Sequence, residues 1–393
     1  MPTKIRKEKK SKLEILSLCH DLLWQAAASG PYFFLEQSDG KILCGAGSSG
    51  VLEAPLLGGK SFFGREKLTA PWEDFSGEYY FRPSVFLRWC DGAAEIFSYG
   101  EKNEVYPEFS TAFGVQNSVQ FSKTSEVPNR TEWKLFCEKA DIFLREKGEK
   151  LVLSRSVSYS FDATERLKII NNFFSQYFMG AHKFMFRQNK DIFMGASPEF
   201  LFQTKNNSLH IPAIAGTRPR GKNEAEDTKF AQDLLSSEKE RSEHSYVVQF
   251  IRAAAAELGL ALPAFCAPEI LKLFRLQHLF TPNEFPWDKT LSPLKLLEKL
   301  HPTPAMGGLP RKEALEFLRQ EESYARGYFS APIGYVLPSG EAAFVVGIRS
   351  LLLQEGSFHC FAGAGYVDGS SAEAEWKETA QKMQTILQVF GRE

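Results

Sequence analysis

"RGYFSAPIGYVLPSGEAAFVVGIRSLLLQEGSFHCFAGAGYV", residues 326 to 367, decides the fold class. Apolar, β-branched and aromatic runs are separated here by Ser339-Gly340 and Glu355-Gly356, dipeptides suited to tight turns. The spacing predicts three strands joined by hairpins, and a hairpin makes its two strands antiparallel. The same pattern recurs upstream. "YFFLEQSDGKILCGAG" turns at Asp39-Gly40 and "SVFLRWCDGAAEIFSYG" at Asp91-Gly92. "KFMFRQNKDIFMGA" turns near Asn189 and "EFLFQTKNNSLHIPAIAG" at Asn206-Asn207, while "LVLSRSVSY" (151–159) reads as a further strand. Helical spacing covers 131–147, about 163–179, about 225–259 and 372–390. Helices grouped between hairpins predict an α+β fold with large antiparallel, sandwich-like sheets flanked by helices, not a doubly wound one.

The chain of 393 residues is long enough for two or three average domains or one large one. No Pro/Ser-rich linker divides it and no repeat appears. The expected organisation is a solvated, disordered basic tail (1–12), an N-terminal part (13–125) and one integrated catalytic region (126–393). The tail contains "KIRKEKKSK", and "LEILSLCHDLLWQAAASG" follows it. Glu14, His20, Asp21 and Gln25 interrupt that second segment too often for a signal peptide. Ile15, Leu18, Leu22, Leu23 and Ala26 recur at helix spacing, which predicts an amphipathic first helix. No apolar run approaches the ~20 residues of a membrane span.

A net charge of −1 supplies no basic surface, which argues against nucleic-acid or anionic-membrane partners. Cys19, Cys44, Cys90, Cys137, Cys266 and Cys360 show no CxxC spacing and sit among apolar neighbours. Free buried thiols in a reducing, cytoplasmic compartment are expected.

"GAGSSG" (45–50) matches GxGxxG, but "VLEAPLLGG" with Pro55 supplies no following helix, so a dinucleotide site is excluded. "GGKS" (58–61) fails as a phosphate loop because Ala54 stands where the first glycine is required. The seven histidines form no HxH or HxxxH pair, so zinc is not expected.

Two features resist a purely architectural reading. "LHPTPAMGGLPRKEALEF" (300–317) is a rigid apolar loop headed by His301, placed directly before the helical stripe Ala314, Leu315 and Leu318. A buried connector is its plain reading. In "SSEKERSEHSYVVQFIRAAAAEL", Val247, Phe250, Ala254 and Leu258 form an apolar stripe. Glu243 falls on that stripe, with Glu240 one turn before. A carboxylate aimed at a core is costly unless it is paired or binds a metal. "EAEWKETAQKM" repeats the device with Glu375 and Glu378, followed by Lys382. Two ExxE pairs could hold one hard cation such as Mg²⁺. Alone, each pair reads equally well as an exposed helix surface, and Glu378→Lys382 as an ordinary i, i+4 pair.

Taken together, "EKLVLSR" (149–155), "GASPEFLF" (195–202), "IPAIAGTRPRG" (211–221), "SSEKERSEHSYVV" (236–248), "LHPTPAMGGLPR" (300–311), "AFVVGIRS" (343–350) and "FAGAGYVDGSSAEAEWKET" (361–379) resemble the chorismate-utilising enzymes. The likeness covers roughly residues 130 to 390, in order. The form of the HPTPA loop is similar to that of the family's isochorismate synthases.

The resemblance implies that fold and the following roles. Lys150 matches the general base that activates water, and Glu199 the general acid that protonates a departing hydroxyl; both tasks need shifted pKa values. Glu243 and Glu378 match Mg²⁺ ligands, with Glu240 and Glu375 as water-mediated partners. Arg349 and Lys382 match cations that hold substrate carboxylates, aided by backbone N–H groups near Gly363. Gly216 and Thr217 match the turn lining the ring, His278 a polar group near the reacting face, and Ala305 and Met306 the pocket wall. One departure from the family pattern is Leu151 where valine is usual. The implied activity is that of an isochorismate synthase, a Mg²⁺-dependent isomerase. It would be monomeric, without an obligatory glutaminase subunit. The alternatives are a salicylate synthase, which adds pyruvate elimination, and a catalytically silent chorismate-binding regulator. The resemblance leaves the downstream pathway open between menaquinone, a catechol siderophore and salicylate.

Overall fold

A strand covered on both faces must be apolar on both, and the sequences Tyr32–Glu36 (YFFLE) and His182–Gln188 (HKFMFRQ) are buried throughout. Their side chains divide by parity. Phe33, Leu35, Phe184 and Phe186 enter one core, while Tyr32, Phe34 and Met185 enter another. The computed structural model, which describes residues 4–25, 30–99, 118–273, 276–287 and 290–390, shows what lies on each side.

A twelve-stranded antiparallel sheet packs against a seven-stranded antiparallel sheet, and a third, three-stranded sheet stands apart. The core between the two large sheets combines Phe33, Phe184 and Phe193 of the first with Leu57, Ile333 and Val345 of the second. The outer face of the twelve-stranded sheet is covered by the helices Lys12–Gln25, Arg166–Ser175 and Ala372–Leu387. The helices Arg130–Glu146, Glu238–Glu257, Pro293–Leu300 and Arg311–Glu321 bury their apolar stripes in a third core. The expected α+β sandwich flanked by helices is the fold.

The hairpin turns fall where the dipeptides place them. Left-handed φ at Asp91, Gly92, Asn189, Asn206 and Asn207 matches residues that tolerate it. Four differences have physical causes. Residues 326–367 hold four strands instead of three: Pro332–Val336, Ala342–Val346, Ser350–Leu353 and Ser357–Tyr366. The second belongs to the seven-stranded sheet and the third to the twelve-stranded one, so the chain changes sheets through Gly347, Ile348 and Arg349. The long helix of 225–259 is two, Glu224–Ser236 and Glu238–Glu257. Ser237 caps the second by accepting from the Glu240 N–H.

The tail is not disordered over Lys4–Lys9, which forms a strand paired with Ala93–Ser98. An edge strand needs only backbone partners, and charge suits it: Lys7 pairs with Glu95. Finally, Cys90 is only partly buried and Cys266 is exposed, although all six thiols are free. Ile15, Leu18, Leu22 and Leu23 are buried as the first helix requires, and Ala26 lies outside the described residues. Among the described residues no helix is long and apolar enough to cross a membrane.

Candidate active site

The two large sheets exchange chain at two neighbouring places. Asp191–Ser197 lies in the twelve-stranded sheet and Phe200–Lys205 in the seven-stranded one, so Pro198 and Glu199 form a crossing. The crossing at Gly347–Arg349 is bonded to it: Val346 N–H donates to the Glu199 carbonyl (3.0 Å) and Ala196 N–H to the Arg349 carbonyl (3.1 Å). Where strands leave a sheet their side chains face a gap instead of a neighbour. Glu199 and Arg349 both line one cleft there. Arg349 holds a left-handed φ of 53°, a costly conformation for a residue with a Cβ.

The cleft is closed on its other sides by the small sheet, the helices Glu238–Glu257 and Ala372–Leu387, and the HPTPA loop. It is lined by Glu199, Gly216, Thr217, Glu240, Glu243, His278, Ala305, Met306, Arg349, Gly363, Glu375, Glu378 and Lys382. Every residue proposed from the sequence is therefore brought to one place except Lys150. That side chain is fully buried under the cleft floor, and its Nζ donates to Glu243 Oε1 at 2.6 Å. The cleft also takes Val152, Pro198, Ile348 and Lys239, which sequence reasoning missed. Lys239 alone carried a signal, as the cation preceding Glu240 in the same run.

Two signature glycines are explained by close approach. Gly365 lies beneath Glu243, and a Cβ there would meet its Oε1 at 2.5 Å. Gly216 has a φ of +77°, and a Cβ would meet Glu240 Oε2 at 3.0 Å. It also marks a bulge in the pairing of Ala213–Pro219 with Leu276–Thr281, which turns Thr217 N–H toward Glu240 Oε2 (3.3 Å).

Apart from Glu199, four glutamates face the cleft, and each has a cation. Arg218 meets Glu240 at 2.6 Å, Lys150 meets Glu243 at 2.6 Å, Lys239 meets Glu375 at 3.6 Å and Lys382 meets Glu378 at 2.5 Å. Burial, reinforced by the charge of Glu378, pushes Glu375 up to about 7. Burial also pushes Glu378 upward, but the Lys382 ammonium outweighs it and holds that carboxyl below its usual range. The donor set is all hard oxygen, which fits a hard divalent cation. In this conformation, and among the described residues, no three ligand-type side chains converge on one point.

The reacting-type groups are tuned as acid chemistry requires. Desolvation raises Glu199 to about 8 against the opposing pull of Arg349 and Lys150, which keeps the carboxyl protonated at neutral pH. Arg349 has no ion-pair partner among the described residues, and burial lowers it to about 10, where it remains a cation. The charges of Glu378 and Glu199 act against that lowering. His278 is pushed down to about 3 by burial and by Arg349, so it is neutral. Its Nδ1 stands 3.0 Å from the Gly216 carbonyl, which only accepts; the proton is therefore on Nδ1, and Nε2 has no protein partner. Gly363 contributes its carbonyl, which accepts from Lys382 Nζ at 2.9 Å.

The HPTPA loop is tied directly to the strand of Lys150. Gly308 and Leu309 pair with Leu151 and Lys150, and Val152 N–H donates to the Gly307 carbonyl (2.9 Å). The connector is thus the cleft wall, carrying Ala305 and Met306. His301, instead of facing that cleft, sits against Phe62 and its backbone carbonyl.

Residues 36–391 match the family described as chorismate binding enzyme. The chain is 30% identical over 352 residues to the isochorismate synthase MenF of Bacillus subtilis, covering 86% of this chain and 75% of that protein. It is 37% identical over 241 residues to a salicylate biosynthesis isochorismate synthase of Pseudomonas aeruginosa, covering 61% of this chain and 50% of that protein. In structure it resembles the menaquinone-specific isochorismate synthase of Escherichia coli, with a TM-score of 0.80 at 22% identity, covering 99% of this chain and 95% of the other.

Proposed function

This chain belongs to the chorismate-binding enzyme family, and we propose that within it the protein is an isochorismate synthase. It interconverts chorismate and isochorismate by water attack at C2 and loss of the C4 hydroxyl. The observation that carries the reading is Glu199, a buried carboxyl held protonated to about pH 8 at the edge of a cation-lined cleft. Hydroxide is a poor leaving group, so the departing oxygen needs a proton donor that is still neutral at working pH.

The remaining parts follow from charge and position. Chorismate carries two carboxylates. Arg349, free of any ion pair among the described residues, and Lys382, which also pairs with Glu378, would receive them. Lys150, once its Nζ has given up a proton and left Glu243, accepts the proton of the attacking water. The diene electrons shift along the ring and the C4–O bond breaks as Glu199 gives up its proton. In the reverse direction Glu199 is the base and Lys150 the acid. Neutral His278 offers Nε2 as an acceptor to a hydroxyl in the cleft. Met306 and Ala305 form the wall beside the ring.

Glu243 and Glu378 would hold Mg²⁺, with Glu240 and Glu375 joining through water, and the ion would neutralise and orient a substrate carboxylate when bound. The proposal includes a cytoplasmic enzyme that acts as a monomer on a small molecule without a glutaminase partner. Purified protein incubated with chorismate and Mg²⁺ tests it. Isochorismate without pyruvate is expected. Stoichiometric pyruvate would indicate a salicylate synthase, and binding without turnover a regulator.

A further inference from the structure

Arg326 and Glu322 form a buried ion pair that the reaction scheme does not use. Their side chains are 0% and 3% exposed. The guanidinium makes a two-pronged contact, Nε to Glu322 Oε2 at 2.7 Å and Nη2 to Glu322 Oε1 at 2.6 Å. It spends its other donors on two main-chain carbonyls, Nη1 on Met306 (2.8 Å) and Nη2 on Val152 (2.6 Å). Ser154 Oγ donates to Glu322 Oε1 at 2.6 Å and meets the Tyr324 hydroxyl at 2.7 Å. The Phe62 ring covers the guanidinium 4.3 Å away.

A buried ion pair is weak grounds for a stabilising role, since well-packed apolar groups of similar volume often serve as well or better. What apolar groups cannot do is fix two carbonyls at set directions, whereas a planar guanidinium can. Here the two carbonyls belong to Val152 and Met306, both of which line the cleft. Val152 lies two residues from Lys150 on one strand, and Met306 sits on the HPTPA loop. We infer that Arg326 is a positioning residue: it fixes the Met306 wall against the Lys150 strand and so sets the width of the chorismate pocket. The inference rests on the isochorismate synthase reading for its substrate.

A double-mutant cycle of Arg326→Lys with Met306→Ala tests it, read in chorismate Kd by calorimetry, in kcat/KM and in Tm. Lysine keeps the charge for Glu322 but reaches only one carbonyl. Misplacing a cleft wall by about 1 Å can cost up to ~10²-fold in rate. Arg326→Lys should therefore lower kcat/KM about tenfold or more and weaken Kd in the native background. In the Met306→Ala background both losses should shrink to less than about twofold, because the side chain being positioned is gone. Equal losses in both backgrounds, or a folded Arg326→Lys protein of native kcat/KM and Kd, would overturn the inference. If Arg326→Lys does not fold, Ser154→Ala loosens the same carboxylate and goes through the same cycle. A native protein that binds chorismate without turnover would sink the isomerase reading, while the Kd cycle would still decide the role of Arg326. A native protein that does not bind chorismate would end both.

Discussion

Replacing Glu199 with glutamine should stabilise the protein while disabling it, and the two effects have one cause. The carboxyl has a folded-state pKa of about 8 against an ordinary value of 4.5, because desolvation outweighs the pull of Arg349 and Lys150. A group whose pKa is raised on folding contributes stability fully present below the unfolded value. That stability is lost as pH rises through the folded value. At pH 7 the unfolded chain is free to ionise Glu199 and the folded one is not. The gap of about 2.5 pH units corresponds to ~3 kcal/mol at 1.36 kcal/mol per unit. Glutamine has no proton to lose and escapes that penalty. Glu199→Gln should therefore unfold roughly 4 °C higher than native at pH 7 and higher still at pH 9, with the difference vanishing near pH 4.5. It also cannot donate a proton, so kcat should fall on the order of 10²-fold or more while KM changes less. The assays are thermal unfolding across pH and steady-state kinetics on both proteins. A Tm difference independent of pH would refute the neutral-acid account. A folded variant of near-native kcat would refute the catalytic role.

Four further perturbations bear on the rest of the site. Lys150→Gln should lower kcat on the order of 10²-fold or more in both reaction directions with a smaller change in KM; near-native kcat in the folded variant would remove Lys150 as the base. Activity should vanish with EDTA and return with Mg²⁺, and Glu243→Gln should raise the Mg²⁺ concentration needed for half-activity by tenfold or more. Glutamine is preferred to alanine there because Glu243 is the partner of a fully buried ammonium, and EDTA-resistant turnover would discard the metal. Gly365→Ala should likewise raise the Mg²⁺ concentration needed for half-activity, since its Cβ would stand 2.5 Å from Glu243 Oε1. Unchanged Mg²⁺ titration in a folded variant would show that Glu243 can move away freely.

Local signals carried much of the fold. Turns such as Asp91-Gly92 and Asn206-Asn207 are legible because left-handed backbone selects Gly and Asn. The crossing at Arg349 is not, because "AAFVVGIRSLLL" is apolar on both sides of Arg349 and Ser350 and a non-glycine residue takes the positive φ. The break at Ser237 could have been read from Ser237 and Glu240, which have capping-box spacing. The strand Lys4–Lys9 escaped because edge pairing is a backbone matter and its side chains resemble those of a solvated tail.

In the site, Glu243 was visible as a carboxylate on an apolar stripe. Its partnership with Lys150 was not, since it joins residues 93 positions apart through tertiary packing. Arg218, which pairs with Glu240, was hidden for the same reason. The HPTPA loop announced its rigidity through its prolines, but its place beside Lys150 depends on the short strand Gly308–Leu309.

Water attack at C2 is the central claim, and isotope transfer tests it most directly. With chorismate and Mg²⁺ in H₂¹⁸O, isochorismate collected at initial rate should carry one ¹⁸O atom in its ring hydroxyl, and the Lys150→Gln protein should form almost none. Unlabelled isochorismate would mean that the original hydroxyl migrates within the ring, and would contradict a base-activated water and the division of labour between Lys150 and Glu199.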